Sequence, residues 1–385
     1  MKKILTAENL SVLIVDDVKS MRSIIRSMLK QMKIGQTLHM AENGLEALKI
    51  LHTHPVDIAI IDWKMPVMNG AQLLESIRKD KLLRDLPVLM VTAESEKEIV
   101  LETAEIEVEG YLLKPLTPAV LEEKLKSMIQ QANQPDKATL HIRKARQLEE
   151  SGDVETAIKH LQCAVQLKPG ASRLLRNLGL LYRKSGDRAA METHLKQAAA
   201  VNPNDVVTRW ILGNFYWENQ DLLSAVCYYQ EVVGMTRKFS EDAVELGDAL
   251  LGDGQSKNAK LLFSGIIAKS TKHQELVGRI VDICLKHGEY GYALGLVKQL
   301  IHDFPKNMDL VYQAGNICEL MDNTDAALDY FLIVDKRQFS RIDVKLKLAK
   351  IFISKKKVIQ ADDYLNQVLR KDPSNEEALS LRRLV

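Results

Sequence analysis

Val56-Asp57-Ile58-Ala59-Ile60-Ile61-Asp62-Trp63-Lys64-Met65-Pro66-Val67-Met68-Asn69-Gly70 carries an apolar run of strand length, Val56–Ile61, that stops at an aspartate. Working outward, similar short runs stand at Ser11–Val15, Val88–Val91 and Tyr111–Leu113, with a weaker one at Thr37–Met40. Between residues 10 and 115 these runs alternate with helical stretches, which predicts a parallel sheet with helices on both faces. Strands this uniformly apolar are those of a sheet buried on both sides. The helix from Met21 to Met32 places Met21, Ile24, Ile25, Met28, Leu29 and Met32 at helical spacing, a stripe assigned to the core. A last helix, Leu121 to Ile129, closes this unit.

In an open parallel sheet the loops at the carboxyl ends of the strands form the site. Four informative places fall there: Asp16 and Asp17 after the first strand, Asp62 after the third, Thr92 after the fourth and Lys114 after the fifth. Three crowded carboxylates repel one another unless a cation sits among them, and octahedral, oxygen-liganded Mg2+ is the natural one. Such an ion can hold a phosphoryl oxygen in line with a carboxylate nucleophile. Lys114 offers a positive charge to a second phosphoryl oxygen and the Thr92 hydroxyl a donor to a third. Taken singly, each of these residues reads as a helix cap or a loop residue; together, in this order on these strands, they point to a phosphoacceptor.

Val15-Asp16-Asp17, Asp62 to Gly70, Val91-Thr92-Ala93 and Tyr111-Leu112-Leu113-Lys114-Pro115 resemble the motifs of response-regulator receiver domains, most of all single-domain chemotaxis regulators. The resemblance implies an α/β doubly wound, flavodoxin-like domain with Asp62 as phosphoacceptor. It also implies Asp17 and Asp62 as direct metal ligands, Asp16 acting through water and the Lys64 carbonyl completing the set. Thr92 and Tyr111 match the paired switch positions of that family, and Lys114-Pro115 is a candidate cis peptide. Lys64 and Glu94 are candidates to pair over the site and slow hydrolysis, or else are two solvated surface charges.

Beyond residue 138 the pattern is helical, with a strict period of 34 residues. Ala157, Ala225, Ala259, Ala293, Ala327 and Ala361 share one register, with Met191 in the remaining place. Twelve residues earlier stand Ala145, Gly179, Gly213, Gly247, Val281, Gly315 and Ala349, and four residues after the alanines stand Leu161, Leu195, Tyr229, Phe263, Val297, Phe331 and Leu365. Small residues at two facing places let a pair of helices cross closely, while the bulky residue fills the gap to the neighbouring pair. The register resembles the tetratricopeptide repeat. It divides the chain into a receiver domain at 1–131, a linker at 132–137, and an all-α solenoid at 138–385 made of seven repeats and a capping helix. Prolines close repeats at Pro169, Pro203, Pro305 and Pro373 but are missing near Arg237, Thr271 and Phe339, and together with Val281 in place of a small residue this suggests irregularity in the middle of the array.

Stacked helix pairs present a groove lined by the first helix of each repeat, suited to peptides or partner helices. On this register Arg173, Arg176, Arg183, Trp210, Asn214 and Trp217 are candidate groove residues. Glu241, Asp248, Glu275, Asp282, Asp309 and Glu319 follow, so the groove is expected to run from basic to acidic. The competing expectation is that the tryptophans pack between repeats and the charges are solvated.

With 385 residues the chain exceeds one ordinary core. A formal net charge of +2 gives no overall reason to expect nucleic acid or an anionic membrane as partner. The basic start Met1-Lys2-Lys3 is not followed by a signal-peptide core, and no run of 18 apolar residues spans a bilayer. Cys163, Cys227, Cys284 and Cys318 are widely spaced and read as buried thiols of a reducing cytoplasm, while His52 and His54 read as residues of a solvated loop. With no GxxxxGK[ST] loop and no kinase signature, the phosphoryl group must come from elsewhere. The resemblance implies the phosphohistidine of a histidine kinase or phosphotransfer protein, and a response regulator, not an enzyme, that signals through its repeats. A phosphate sink or kinase-pathway inhibitor, and a non-switching adaptor scaffold, are the alternatives. The short linker makes docking of the Tyr111 face on the first repeats an expected route of coupling.

Overall fold

Five strands, β1 (Ser11–Val15), β2 (Thr37–Ala41), β3 (Ile58–Asp62), β4 (Val88–Thr92) and β5 (Gly110–Leu113), form one sheet in the order β2-β1-β3-β4-β5. Every pairing is parallel. This computed structural model describes residues 4–93, 110–269 and 274–385. The chain divides into two compact units, Met1–Thr208 and Arg209–Val385.

Side chains alternate across the sheet, so each strand feeds two cores. Leu13, Val15, Ala59, Ile61, Val88 and Met90 pack with helices α2 (Gly44–Thr53) and α3 (Gly70–Lys79). Val12, Ile14, Ile58, Ile60, Leu89 and Val91 pack with α1 (Lys19–Gln31) and α4 (Pro118–Asn133) on the other face. The methionine-rich stripe of α1 lies on this second core, with one correction: Ile24 is 47% exposed. It sits a full 100° around the helix from buried Ile25, at the margin of the stripe. Asn69 caps α3 reciprocally with Gln72, which sets the helix start just beyond Asp62.

Only Gln134, Pro135 and Asp136 separate α4 from α5 (Lys137–Glu150), and Asp136 caps α5 through the Thr139 amide. The rest of the chain is a tetratricopeptide-type array of helix pairs. In the first unit follow α6 (Val154–Leu167), α7 (Ser172–Ser185) and α8 (Arg188–Val201). The second unit carries α10 (Leu222–Met235) to α19 (Glu376–Arg382), and α9 (Val206–Glu218) spans the division between units.

The register alanines are all fully buried. The bulky register residue turns out to fill the gap inside its own helix pair: a Cβ built on Gly247 would lie 2.1 Å from Phe263, and on Gly315 2.6 Å from Phe331. Where Val281 replaces the glycine, the residue opposite on the register is Val297, and both are fully buried in one cluster. The swap of glycine and phenylalanine for two valines conserves volume, so Gln274–Lys286 and Tyr290–Asp303 stay regular helices.

Of the cysteines, Cys284 and Cys318 are buried, whereas Cys227 is exposed, against expectation. Burial pushes the Cys284 thiol up to about 12, which leaves it inert. His52 belongs to the last turn of α2 and not to a loop; its Nδ1 bonds the Leu48 carbonyl at 2.8 Å and its Nε2 meets Asp80 at 3.0 Å. The Asp80 hydrogen bond raises the His52 pKa above its ordinary 6.5.

Because the folded-state value is raised, the contribution of charged His52 is complete below pH 6.5 and is lost as the pH climbs through the higher folded value. An NMR titration of the His52 ring should give a midpoint above 6.5, and Asp80→Asn should bring it down. Gly247→Ala should destabilise the chain by about 1–3 kcal/mol in urea titrations, because buried Phe263 must move. Gly278→Ala, with nothing within 4 Å of the added Cβ, should instead be neutral or stabilising by up to about 1 kcal/mol.

Candidate functional site

β1 and β3 are neighbours with Val15 opposite Ile61, so Asp16 and Asp62 emerge side by side at the carboxyl edge of the sheet. β4 lies next to β3, and β5 next to β4, which brings Thr92 and Lys114 to the same edge. The Lys114 amide donates to the Thr92 carbonyl at 2.7 Å, and the Lys114-Pro115 peptide is cis.

The lysine ammonium bridges two carboxylates: it donates to Asp16 Oδ2 at 2.9 Å and stands 2.8 Å from Asp62 Oδ1. Asp16 is almost wholly buried and its second oxygen accepts the Val18 amide at 2.9 Å. Asp17 is exposed. One carboxylate oxygen each from Asp16, Asp17 and Asp62 lie within 4.8 Å of one another, the only such metal-sized group among the described residues.

Burial raises the Asp62 pKa; the hydrogen bond from Lys114 opposes this, and the Asp16 and Asp17 charges add to it. For Lys114 burial works against the charge, but hydrogen bonds to Asp62 and Asp16 carry the pKa above its ordinary value. The excess negative charge is what a divalent cation would neutralise, and an all-oxygen donor set suits Mg2+.

Arg22, which with Met21 carries part of the sequence resemblance, donates to the backbone carbonyls of Asp16 at 2.6 Å and Asp17 at 3.2 Å, holding the acidic loop in shape. Two further features of the site have no role assigned from sequence. At Gly70 an added Cβ would sit 2.2 Å from the Asp62 carbonyl oxygen, so the start of α3 can press against the strand end only without a side chain. Val67 has φ +69°, and the Met68 amide closes on the Pro66 carbonyl at 2.8 Å, a strained three-residue turn for a β-branched residue. The quoted motif contained Gly70 and Val67, but only the backbone path reveals what each must do.

Lys64 is exposed and lines an open cleft with Asp17, Trp63, Met65, Pro66 and Asn69. Glu94, its suggested partner, lies outside the described residues. Thr92 is buried at the site edge, while Tyr111 is half exposed.

The groove candidates fare differently. Arg176 is buried against Asp205 at 2.7 Å, and Asp205 also accepts the Thr208 amide and hydroxyl, so Arg176 is not available to a partner. Arg173 is partly buried and Arg183 exposed. Trp210 stacks on Phe239 and donates to Asp242 at 2.6 Å. Asn214 accepts from the Tyr229 hydroxyl at 2.6 Å, and Trp217 packs edge-on to Tyr229. The tryptophans thus serve packing within the array.

Nor is the later part of the groove a run of unpaired acids. Glu241 pairs with Arg279, Asp248 with Lys286 and His287, Asp309 with Arg341, and Glu319 with Lys347. First helices of successive repeats lie side by side, so a carboxylate on one meets a cation roughly one repeat later. Glu275 and Asp282 remain exposed.

No described helix is long and apolar enough to cross a membrane. A strand-end acidic cluster with an opposing lysine, on a sheet of this order, defines a receiver domain, and comparison with known proteins agrees. The model of the response regulator receiver domain matches residues 12–126, and that of the tetratricopeptide repeat matches residues 173–205. Chemotaxis protein CheY-3 of Vibrio cholerae serotype O1 is 44% identical over 118 residues, covering 31% of this chain and 90% of that protein. Chemotaxis protein CheY of Pseudomonas aeruginosa is 41% identical over 124 residues, covering 32% of this chain and 99% of that protein. A solved structure of the chemotaxis response regulator CheY4 of Vibrio cholerae, 31% identical, covers 31% of this chain and 98% of its own, with a TM-score of 0.29. The chain belongs to the response regulator receiver family, with tetratricopeptide repeats following the receiver.

Removing one carboxylate should weaken cation uptake without unfolding the sheet. Asp17→Asn, an exposed position, should lower Mg2+ affinity by at least about tenfold in a titration followed by Trp63 fluorescence.

Proposed function

We propose that the chain is a response regulator that accepts a phosphoryl group on Asp62 from the phosphohistidine of a histidine kinase or phosphotransfer protein. An Asp62 carboxylate oxygen forms the new P–O bond, the P–N bond to the donor histidine breaks, and the electron pair leaves with the imidazole. What carries this reading is the bridging position of Lys114, 2.8 Å from Asp62 and 2.9 Å from Asp16.

Asp17, Asp62 and the Lys64 carbonyl would hold Mg2+ directly, with Asp16 acting through water. Bound there, the ion supplies charge neutralisation to the transferred group. Lys114 takes one phosphoryl oxygen; its ammonium already lies among the carboxylates that such an oxygen must approach. The Thr92 hydroxyl binds another, and half-exposed Tyr111 then follows Thr92 inward as the second switch position. In this reading the receiver catalyses only its own phosphorylation and slow hydrolysis, in the cytoplasm, and the repeats pass the signal on by binding a protein.

Transfer of radiolabelled phosphoryl from a histidine-kinase or phosphotransfer donor to the wild-type chain, and its loss in Asp62→Asn, is the expected outcome. Undiminished labelling of Asp62→Asn would place the acceptor elsewhere.

A further inference from the structure

We propose that the receiver is coupled to the repeats through the turn Asp80–Leu86 and the first repeat helix α5, at the end of the sheet opposite the acidic cluster. The proposal rests on the assignment of Asp62 as acceptor. The turn precedes β4, so it lies at the amino-terminal edge of the sheet.

Two side chains of opposite sign on this turn meet opposite signs on α5. Arg84 engages Glu150 through both terminal nitrogens, the Nη2 contact to Oε2 being 3.1 Å. Its neighbour Asp85 stands 3.6 Å from Arg143 and 3.4 Å from Arg146. The Arg84 side chain is only 17% exposed, and the bidentate geometry is the kind that outperforms an ordinary surface pair. Reversed charges on adjacent residues also fix the register, since a shifted dock would oppose like charges.

A rigid path connects this clamp to the site. Arg78, near the end of α3, donates to the carbonyls of Arg84 at 3.0 Å and Leu86 at 2.9 Å, tying the turn to the helix. Within the turn, the Arg84 amide bonds the Asp80 carbonyl at 2.9 Å and the Asp80 side chain caps the Leu82 amide at 2.7 Å. Leu86 is buried and Leu83 packs on the same core as Ile61, Trp63 and Met90. At its other end α3 begins at Gly70, pressed on the Asp62 carbonyl, with the Gly70 amide bonded to the Trp63 carbonyl at 2.9 Å. A rearrangement of the loop after Asp62 moves α3 as a body, and Arg78 carries that movement to the turn.

Arg146 falls on the 34-residue register of Asn214, Asp248 and Asp282, positions that the sequence pattern assigns to the groove face. Asp85 therefore occupies, from within the same chain, the face that an acidic partner side chain would use on the first repeat.

Hydrogen–deuterium exchange on the full chain tests this, comparing wild type, Arg84→Glu, Glu150→Arg and the double swap, each with and without Mg2+ and beryllofluoride. Each single variant should speed exchange of residues 80–86 and 143–151 by about fivefold, the factor of a strong partly exposed ion pair, and the swap should restore it. Beryllofluoride should alter exchange at 140–151 in wild type and in the swap, but not in the single variants, while all four respond at 58–70. A response at 140–151 that persists in the single variants, or a wild type that responds at 58–70 alone, overturns the coupling and leaves the Asp62 assignment standing. A wild type that responds at neither segment overturns both.

Discussion

One ammonium group between two sunken carboxylates holds the receiver site together. Lys114 reaches Asp16 and Asp62 at the same time, and without it two like charges would stand side by side at a buried strand edge. The lysine balances only part of the acid, because Asp17 adds a third carboxylate from the open side. The remaining charge is what a divalent cation would neutralise, and a cation bound there would in turn favour an incoming phosphoryl group. Three further features keep these groups in place: Arg22 on the acidic loop, Gly70 under the strand end, and Asn69 at the start of α3.

The repeat array rests on a different constraint, that of volume. Glycine on the first helix of a pair interlocks with a bulky side chain on the second, Leu195 at Gly179 and an aromatic ring at Gly213, Gly247 and Gly315, and two valines stand in their place at Val281 and Val297. Along the first helices, ion pairs such as Asp248 with Lys286 and Asp309 with Arg341 stitch one repeat to the next. Such partly exposed pairs add modest stability each but favour one stacking register over others.

These two constraints were not equally legible in the sequence. The sheet was readable because its strands are apolar without interruption and because their tips carry the only acids and the lysine that matter; Asp16, Asp62, Thr92 and Lys114 all stand at the strand ends where the pattern places them. The 34-residue period was readable for the same reason, as a repeated demand for small and large side chains. What escaped was whatever depends on a partner far along the chain. Arg176 reads as a groove residue until Asp205 is seen beside it, and Glu241 reads as an acidic lining until Arg279 is. Ile24 sits at the edge of an apolar stripe, one residue's turn of the helix away from buried Ile25. The contact between Arg84 and Glu150 has no local signature at all, since a charged turn and a charged helix end look like ordinary solvated surface.

The most direct test of the central claim is fluorine NMR of beryllofluoride with the full chain, in the presence and absence of Mg2+. A fluoride resonance from the bound species that requires Mg2+ and vanishes on Lys114→Ala is what a lysine-and-cation phosphoryl site predicts. A bound resonance that forms equally well without Mg2+, or that survives loss of Lys114 unchanged, would contradict it.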